Sequence, residues 1–237
     1  MHYRLEGITR RHGDLVVMEG LNLEIEGDGM LVILGPSGCG KTSLLRIIAG
    51  LDEGFVGSRT GFEDCRFSFA FQEPRLLPWS TVLDNVLFAL SSTGMGRDEA
   101  VARTRRLLRL AGLEAEEGQR PFELSGGMRQ RVSLVRAFAF PSNFILLDEA
   151  FQSVDIRLRQ DLMRLFVDLR EIESKSALLV THDPAEALFL ADRVIILSQR
   201  PAKIIDDFAI DVAREQRFPG SPRLQEHEAR LYAGLLS

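Results

Sequence analysis

The chain has 237 residues, of which 45% are hydrophobic and 27% are charged, fractions that are ordinary for a soluble globular protein. This length can bury a full core, either as one large domain or as a core with a subdomain. The net charge is −5 and no long block of Lys and Arg occurs, which argues against a nucleic-acid partner. The two cysteines, Cys39 and Cys65, form no disulfide framework and fit a reducing compartment.

The sequence also argues against a segment that enters a membrane by itself. The stretch from Met1 to Arg11 lacks an apolar core of signal-peptide length and runs directly into a strand pattern. No window approaches the run of about 18 apolar residues that a spanning helix needs. We therefore expect any membrane role to come through a partner.

Along the chain, short apolar runs alternate with amphipathic stretches, which predicts an α/β domain with a mostly parallel sheet. Residues 3–26 alternate more strongly and are interrupted at Gly13 and Gly20, which predicts N-terminal antiparallel strands. The predicted buried strands are Leu31–Leu34, Phe67–Phe71, Phe144–Leu147, Ala177–Val180 and Val194–Leu197. The predicted helices are Lys41–Ala49, Ile156–Glu173 and Pro184–Leu190.

These patterns predict a single domain with an insertion. Residues 1–72 and 141–200 form the α/β core with the antiparallel strands, and residues 73–140 form a helical subdomain because no strong strand run occurs there. Residues 201–237 form a short C-terminal extension. We expect it to contain one more strand pair, a polar stretch and a helix that ends at Leu236.

A glycine-rich segment follows the first buried strand and opens a helix. It is Gly35-Pro36-Ser37-Gly38-Cys39-Gly40-Lys41-Thr42, a P-loop pattern in the context that the pattern requires. Its backbone N–H groups can surround phosphates, Lys41 can neutralise the β- and γ-phosphate oxygens, and Thr42 offers a Mg²⁺ ligand. For Cys39, a role as a small residue in a tight loop is favoured over an activated thiol.

Polar residues end three other predicted strands. Asp148 suits Mg²⁺ coordination through water, and Glu149 can polarise an attacking water, although such a pair is about as often a helix cap. His182 and Gln72 also lie at the carboxyl edge, where α/β sheets place ligands. Taken alone, each of these two residues is compatible with a structural role.

The segment Leu124-Ser125-Gly126-Gly127-Met128-Arg129-Gln130-Arg131 predicts a second phosphate-binding helix start. A hydroxyl and two glycines precede apolar residues at helical spacing, so exposed N–H groups and the positive helix end can face an anion. Two such sites with one implied nucleotide suggest a composite site that is shared between chains.

In their order, these residues resemble the ATP-binding subunit of ABC transporters over roughly Leu5 to Leu197. The decisive element is Leu124–Gln130, which is similar to that family's signature motif. The resemblance implies a P-loop NTPase core, ATP and Mg²⁺ as ligands, and a head-to-tail dimer, either a homodimer or a dimer with a homologous ATPase. Each ATP would lie between the P-loop of one chain and the signature of the other.

The resemblance also implies roles for individual residues. The expected catalytic residues are Glu149, His182 as the switch histidine, Gln72 of the Q-loop, and Lys41. The expected Mg²⁺ ligands are Thr42, Gln72 and Asp148. The expected nucleotide contacts are Gly35, Pro36, Ser37, Gly38, Cys39, Gly40, Lys41, Thr42, Ser43, His12, Ser125, Gly126, Gly127, Gln130 and the D-loop Asp155.

Three positions depart from the family pattern. His12 stands at the position where the family usually has a tyrosine or phenylalanine that stacks on adenine, so we expect weaker adenine affinity and poorer discrimination between ATP and GTP. The D-loop sequence Gln152-Ser153-Val154-Asp155 replaces the common Ser-Ala-Leu-Asp, which affects communication across the dimer. Ala150 replaces the proline that importers usually have, a minor change.

The segment Gln72–Val86 resembles one importer branch, the ATPases for nitrate, sulfonate, taurine and pyrimidine precursors. Leu76, Leu77 and Trp79 could receive a helix of a membrane subunit, and for Trp79 packing into the subdomain core is an equal alternative. The resemblance implies integral membrane permease subunits, an extracytoplasmic solute-binding protein and a peripheral location on the cytoplasmic face of the inner (plasma) membrane.

Rival classes explain the sequence less well. An exporter ATPase is compatible with the motifs but not with the Gln72–Val86 resemblance. A soluble ABC-type ATPase that acts on DNA or ribosomes would need a long coiled-coil insertion or two ATPase domains. A P-loop kinase or GTPase leaves Leu124–Gln130 unexplained. The cluster Arg103, Arg105, Arg106 and Arg109 is expected to be a solvated helix face.

Overall fold

The computed structural model describes residues 2–152, 154–218 and 220–236. By contacts between residues the chain divides into two compact units. The first unit runs to Cys65 and resumes at Ser176, and the second runs from Arg66 to Lys175. No helix in these described ranges is long and apolar enough to cross a membrane.

The first unit contains a three-stranded antiparallel sheet in the order β2-β1-β4. Its strands are β1 (His2–His12), β2 (Leu15–Glu26) and β4 (Phe55–Thr60). The expected antiparallel strands are therefore present, and Gly13 makes the hairpin turn with a φ of +58°. Gly20 does not end a strand, because β2 continues through it with a local shift in register. The strand β4 was not predicted, because its residues are half-buried or exposed and form no apolar run.

The first unit also contains the parallel strands β7, β3 and β8, with β9 antiparallel to β8. These elements are β3 (Met30–Leu34), β7 (Ser176–Thr181), β8 (Arg193–Leu197) and β9 (Ile204–Ala209), with helices α1 (Lys41–Ile48), α6 (Pro184–Leu190) and α7 (Gln225–Leu236). Every residue of β3 is buried, which explains its continuous apolar sequence. The expectation of a strand pair after Arg200 was wrong, because this described stretch adds one strand, β9, whose partner is β8.

The second unit joins a two-stranded parallel ladder to four helices. The elements are β5 (Phe67–Phe71), α2 (Val82–Leu90), α3 (Arg97–Leu110), α4 (Gly126–Ala139), β6 (Phe144–Asp148) and α5 (Ile156–Glu173). Phe166 lies at the centre of their core, with its ring 5.6 Å from that of Phe138 and 5.9 Å from that of Phe151. All three rings are fully buried, so these aromatic contacts join α4, α5 and the segment after β6.

Candidate nucleotide site

The P-loop connects β3 to α1 in the first unit. Its backbone requires glycine, because Gly38 and Gly40 have φ values of +78° and +121°. A Cβ atom on Gly40 would also lie 2.5 Å from Cγ1 of Val17, so β2 packs directly against the loop. The loop is thus shaped by its glycines and supported by a neighbouring strand.

The start of α1 has the properties of an anion site. Gly40 is the N-cap residue, and no side chain within the described ranges caps this helix end. The first N–H groups of an α-helix have no partner inside the helix and carry the positive end of its dipole. Lys41 is 4% exposed, and its Nζ donates to the carbonyl oxygens of Gly35 at 2.8 Å and Pro36 at 2.9 Å. The ammonium group is therefore held inside the curve of the loop.

Two further residues, Cys39 and Arg200, bear on the structure of the loop. Cys39 is buried, and burial raises the pKa of its thiol despite the nearby charge of Lys41. These properties support the structural role for Cys39 and disfavour an activated thiol.

The guanidinium of Arg200 donates from Nε to the carbonyl oxygen of Gly38. Sequence reasoning gave Arg200 no role, because no motif links it to a loop 162 residues earlier.

His182 lies beside the P-loop within the first unit. It is exposed and directly follows Thr181, the last residue of β7. The carbonyl oxygen of Thr181 accepts a hydrogen bond of 3.2 Å from the N–H of Gly35. The first residue of the P-loop and the residue before His182 are thus bonded to each other.

His12 ends β1 and is exposed, opposite Leu15 in the β1–β2 register. Val17, which contacts the P-loop, is two residues further along β2, or roughly 7 Å at the usual rise of a strand. The position of His12 near the adenine remains a prediction.

In the second unit, Gln72, Asp148 and Glu149 lie at one sheet edge. Phe71 and Asp148 are paired in the parallel β5–β6 register, so Gln72 and Glu149 follow at neighbouring strand ends. Glu149 has a φ of +49°, a left-handed conformation that is uncommon for a residue with a side chain. Such strain, of order 1–3 kcal/mol, is concentrated at functional sites. The strained backbone at Glu149 therefore adds structural support for a functional site, and this conformation could not be seen in the sequence.

The signature segment starts α4. Ser125 is the N-cap residue, and its Oγ accepts a bond of 3.2 Å from the N–H of Met128. Gly126 is exposed, whereas Gly127 is buried against α5, where a Cβ atom would lie 2.6 Å from Cδ2 of Leu158. Because the Ser125 oxygen acts as the acceptor in the cap, its hydroxyl hydrogen can be directed to another acceptor.

The helix α4 also holds the chain that follows β5. Gln130 is 4% exposed and donates from Nε2 to the carbonyl oxygen of Gln72. Arg136 donates to the carbonyl oxygens of Pro74 at 2.7 Å and Arg75 at 2.9 Å, and burial lowers the pKa of its guanidinium. The side chain of Gln130 is therefore engaged inside the second unit, where it positions Gln72.

Two cations cap the other end of α4. Arg103 donates to the carbonyl oxygens of Phe138 and Ala139 at 3.1 and 2.8 Å, and Lys175 Nζ donates to that of Phe138 at 2.9 Å. Burial, with the charge of Arg103, lowers the pKa of Lys175 to about 8. Arg103 is thus not part of a solvated face, whereas Arg105 and Arg109 form exposed pairs with Glu117 and Glu114.

Asp155 begins α5 as its N-cap residue. Its Oδ1 accepts bonds of 3.0 Å from the N–H groups of Arg157 and Leu158. This cap is a structural role, and the D-loop role of Asp155 remains a prediction. Ser153, part of the unusual D-loop sequence, lies outside the described residues.

Each unit by itself contains oxygen donors of the kind that Mg²⁺ prefers. In the first unit, Thr42 offers a hydroxyl oxygen. In the second unit, Gln72 and Asp148 offer amide and carboxylate oxygens at neighbouring strand ends. Oxygen ligands of this kind, together with phosphate oxygens and water, are those that Mg²⁺ prefers. The fold and the glycine-rich loop define a P-loop nucleotide-binding protein.

Comparison with known proteins gives the family. The profile of the ABC transporter family matches residues 18–152. An aliphatic sulfonates import ATP-binding protein, SsuB 2 of Burkholderia cenocepacia, is 41% identical over 93% of this chain and 82% of its own length. A taurine import ATP-binding protein, TauB of Burkholderia thailandensis, is 38% identical over 86% of this chain and 81% of its own length.

A solved structure agrees with these relatives. It is a dimer of the ATP-binding cassette MJ0796 in a post-hydrolysis state, bound to ADP and Pi. Its TM-score is 0.74 at 28% identity, and the match covers 89% of this chain and all of that one. The chain belongs to the ATP-binding proteins of the ABC transporter family. The resemblance drawn from Leu124–Gln130, the P-loop NTPase fold and the class of ABC-type ATPase are thereby confirmed.

Proposed function

We propose that this chain is the ATP-hydrolysing subunit of an ABC importer for an aliphatic sulfonate, taurine or a related small anionic solute. The observation that supports the proposal is that two glycine-flanked segments each begin a helix, α1 after Gly40 and α4 after Ser125. The import ATP-binding proteins among its relatives support the direction of transport, and they disfavour an exporter or a soluble ATPase.

In the first unit, the P-loop N–H groups and Lys41 bind the β- and γ-phosphates, and Ser37 and Ser43 add hydroxyl groups. Thr42 is proposed as a ligand of Mg²⁺, which when bound neutralises charge on the phosphate oxygens. His182 contacts the γ-phosphate from the turn that follows β7. His12 contacts the adenine, and its smaller ring makes that contact weaker than a tyrosine would.

In the second unit, Glu149 accepts a proton from the attacking water, and its left-handed backbone is the strained position that supports this role. Asp148 and Gln72 are proposed as Mg²⁺ ligands of this unit, through their carboxylate and amide oxygens. Ser125 uses its oxygen as the cap acceptor and donates its hydroxyl hydrogen to a γ-phosphate oxygen held by the opposite chain. Gly126 and Gly127 allow close approach of that phosphate to the start of α4.

Because each chain has one P-loop and one signature, two chains arranged head to tail complete two sites. We propose a homodimer, or a dimer with a homologous ATPase, that closes when ATP binds. The dimeric arrangement of the structural relative supports this proposal. Asp155 would act at the contact between the chains.

The membrane partner is proposed to contact the segment that precedes α2. Trp79 is 71% exposed, so it is not part of the core of the second unit. An exposed Trp on an anchored loop is suited to receive a helix of a permease subunit. The chain would then sit peripherally on the cytoplasmic face of the inner membrane, with a solute-binding protein on the other side completing the importer.

Hydrolysis is tested with a matched pair of substitutions, each of which removes one negative charge and keeps the side-chain shape. Glu149→Gln removes the proposed base, and Glu19→Gln changes an exposed glutamate of β2. We expect Glu149→Gln to lower MgATP turnover by about 10²-fold or more and to accumulate an ATP-bound dimer in light scattering. Wild-type turnover in Glu149→Gln, or a monomer at saturating MgATP, would contradict the proposal.

Transport is tested in proteoliposomes that contain the cognate permease and a sulfonate-loaded binding protein. Trp79→Ala should leave MgATP hydrolysis by the isolated subunit intact and reduce sulfonate uptake. Val56→Ala, which truncates a residue that is 73% exposed in the first unit, is the control and should leave both unchanged. Equal uptake by the two variants would remove Trp79 from the proposed contact.

A further inference from the structure

Thr181 and Glu186 form a buried polar pair directly behind His182. Both residues are 0% exposed, and Thr181 Oγ1 lies 2.6 Å from Glu186 Oε2. The N–H of Asp183 lies 3.1 Å from the same Oγ1. One hydroxyl group thus connects the backbone just after His182 to the carboxyl group of Glu186 in α6.

The direction of these bonds is fixed by chemistry. A backbone N–H can only donate, so the Thr181 oxygen is the acceptor for Asp183. The single hydroxyl hydrogen of Thr181 then donates to Glu186, so the carboxylate fixes the rotation of the hydroxyl. The carbonyl oxygen of Thr181 accepts from Gly35, which connects the same residue to the P-loop.

A purely structural role explains this pair poorly. Thr181 ends a strand in which every residue is buried, so valine would suit its surroundings. Burying a hydroxyl and a carboxyl group is costly unless hydrogen bonds compensate for the lost hydration. The helix α6 already has a separate cap, because Asp183 Oδ1 accepts from the N–H of Ala185 at 2.8 Å.

We propose that Glu186 and Thr181 are positioning residues that hold His182 at the distance from the P-loop required for hydrolysis. The inference rests on the proposed function of His182. Neither residue contacts ATP in this arrangement; they act through the backbone at 181–183. The pair therefore affects the hydrolytic step more than the capture of ATP.

The test separates turnover from binding with nearly isosteric variants. Thr181→Val removes the hydroxyl and keeps the shape, whereas Thr181→Ser keeps the hydroxyl. Thr104→Val is the matched control, because Thr104 is also 0% exposed and its Oγ1 has no partner among the described residues. For each variant, kcat is measured with MgATP, and the Kd is measured with a fluorescent ATP analogue and MgATP as competitor.

We expect Thr181→Val to lower kcat by roughly 10- to 100-fold, in line with the cost of misplacing an active-site group by about 1 Å. Its Kd should stay within about threefold of wild type, because the P-loop contacts persist. Thr181→Ser should recover most of kcat, and Thr104→Val should change neither quantity. A second variant, Glu186→Gln, keeps an oxygen acceptor and should give an intermediate kcat.

Wild-type kcat in Thr181→Val would overturn the inference, and wild-type kcat in Glu186→Gln would remove Glu186 from it. An equal loss of kcat and ATP affinity in Thr181→Val would also overturn it, since that pattern indicates general damage to the site. His182→Ala is measured in parallel to distinguish the proposed role of His182 from the positioning role of Thr181 and Glu186. If it hydrolyses ATP like wild type, the proposed role of His182 fails; if it is inactive while Thr181→Val is fully active, only the positioning inference fails.

Discussion

Asn85 is the buried residue whose replacement should most clearly disturb the segment that leads to Trp79. It is 0% exposed, and its Oδ1 accepts a bond of 2.7 Å from the N–H of Leu77. Its Nδ2 lies 3.1, 3.2 and 2.9 Å from the carbonyl oxygens of Leu77, Ser80 and Thr81. Because an amide has only two N–H hydrogens, three acceptors share two donors.

Replacement of Asn85 by Leu keeps the number of side-chain heavy atoms and their branching, and it removes about three effective hydrogen bonds. Each contributes roughly 0.5–1.5 kcal/mol net, and backbone groups left unpaired in the interior add to the loss. The structure therefore predicts a decrease in the free energy of unfolding of about 2–4 kcal/mol. That is a large share of the roughly 5–15 kcal/mol by which a domain is stable.

The assay is urea unfolding followed by circular dichroism, with the m-value compared between variants. Asn143→Ala is the control, because exposed Asn143 accepts one side-chain bond of 2.8 Å, from the N–H of Arg66. The control should lose about 1 kcal/mol or less. The reasoning is refuted if Asn85→Leu unfolds within about 0.5 kcal/mol of wild type, or no earlier than Asn143→Ala.

Three further predictions concern the loop and the signature helix. Gly127→Ala should lower the free energy of unfolding by about 1–3 kcal/mol, because the added methyl group would collide with Leu158. Gly126→Ala is the control and should be tolerated, because the nearest atom to its methyl group would be 3.8 Å away. Both variants are measured by urea unfolding. The free energy of unfolding of the wild type, relative to that of Lys175→Met, should rise by up to roughly 3 kcal/mol between pH 8 and 10.5. In this pH range Lys175 is protonated in the unfolded chain but not in the folded one, so a rising pH favours the folded state. In a Cys65→Ser background, Cys39 should react with a maleimide only once denaturant opens the fold, because its thiol is buried.

For each of these three predictions, one experimental result would contradict it. Equal stability of the Gly127→Ala and Gly126→Ala variants would mean that α5 yields at Leu158 without cost. A wild-type advantage over Lys175→Met that stays flat above pH 8 would mean that the folded lysine keeps its proton. Rapid labelling of Cys39 in the native protein, slowed by ATP, would restore the activated thiol that the structure disfavours.

The parts of the fold that followed from sequence are those buried on both faces. The strands β3, β6, β7 and β8 are continuous apolar runs because helices or strands cover them, and such runs are visible without a structure. The strand β4 has only half-buried and exposed residues, so its pairing with β1 depends on a partner about 50 positions earlier. Local pattern carries no information about such a partner.

The same distinction applies to the candidate site. The P-loop was predictable because phosphate binding by backbone groups demands glycines at fixed spacing, which is a local property. Asn85, Lys175 and Glu186 were not predictable, because their importance lies in which atoms they reach. Lys175, for example, reaches a carbonyl oxygen 37 residues away, and an isolated lysine in a sequence is usually a surface residue.

Gln130 and Arg136 of α4 donate hydrogen bonds to the carbonyl oxygens of residues 72, 74 and 75. These bonds attach the strip 72–75 to α4, so the strip moves when the helix moves. An acceptor at the end of such a side chain lies roughly 8–9 Å from the helix axis. A 10° turn of α4 about that axis would then carry the strip by about 1.5 Å along an arc. The hydrogen bonds to α4 therefore transmit a rotation of the helix to the strip. Conversely, a pull on the strip applies torque to α4, the helix that Ser125 caps at its start.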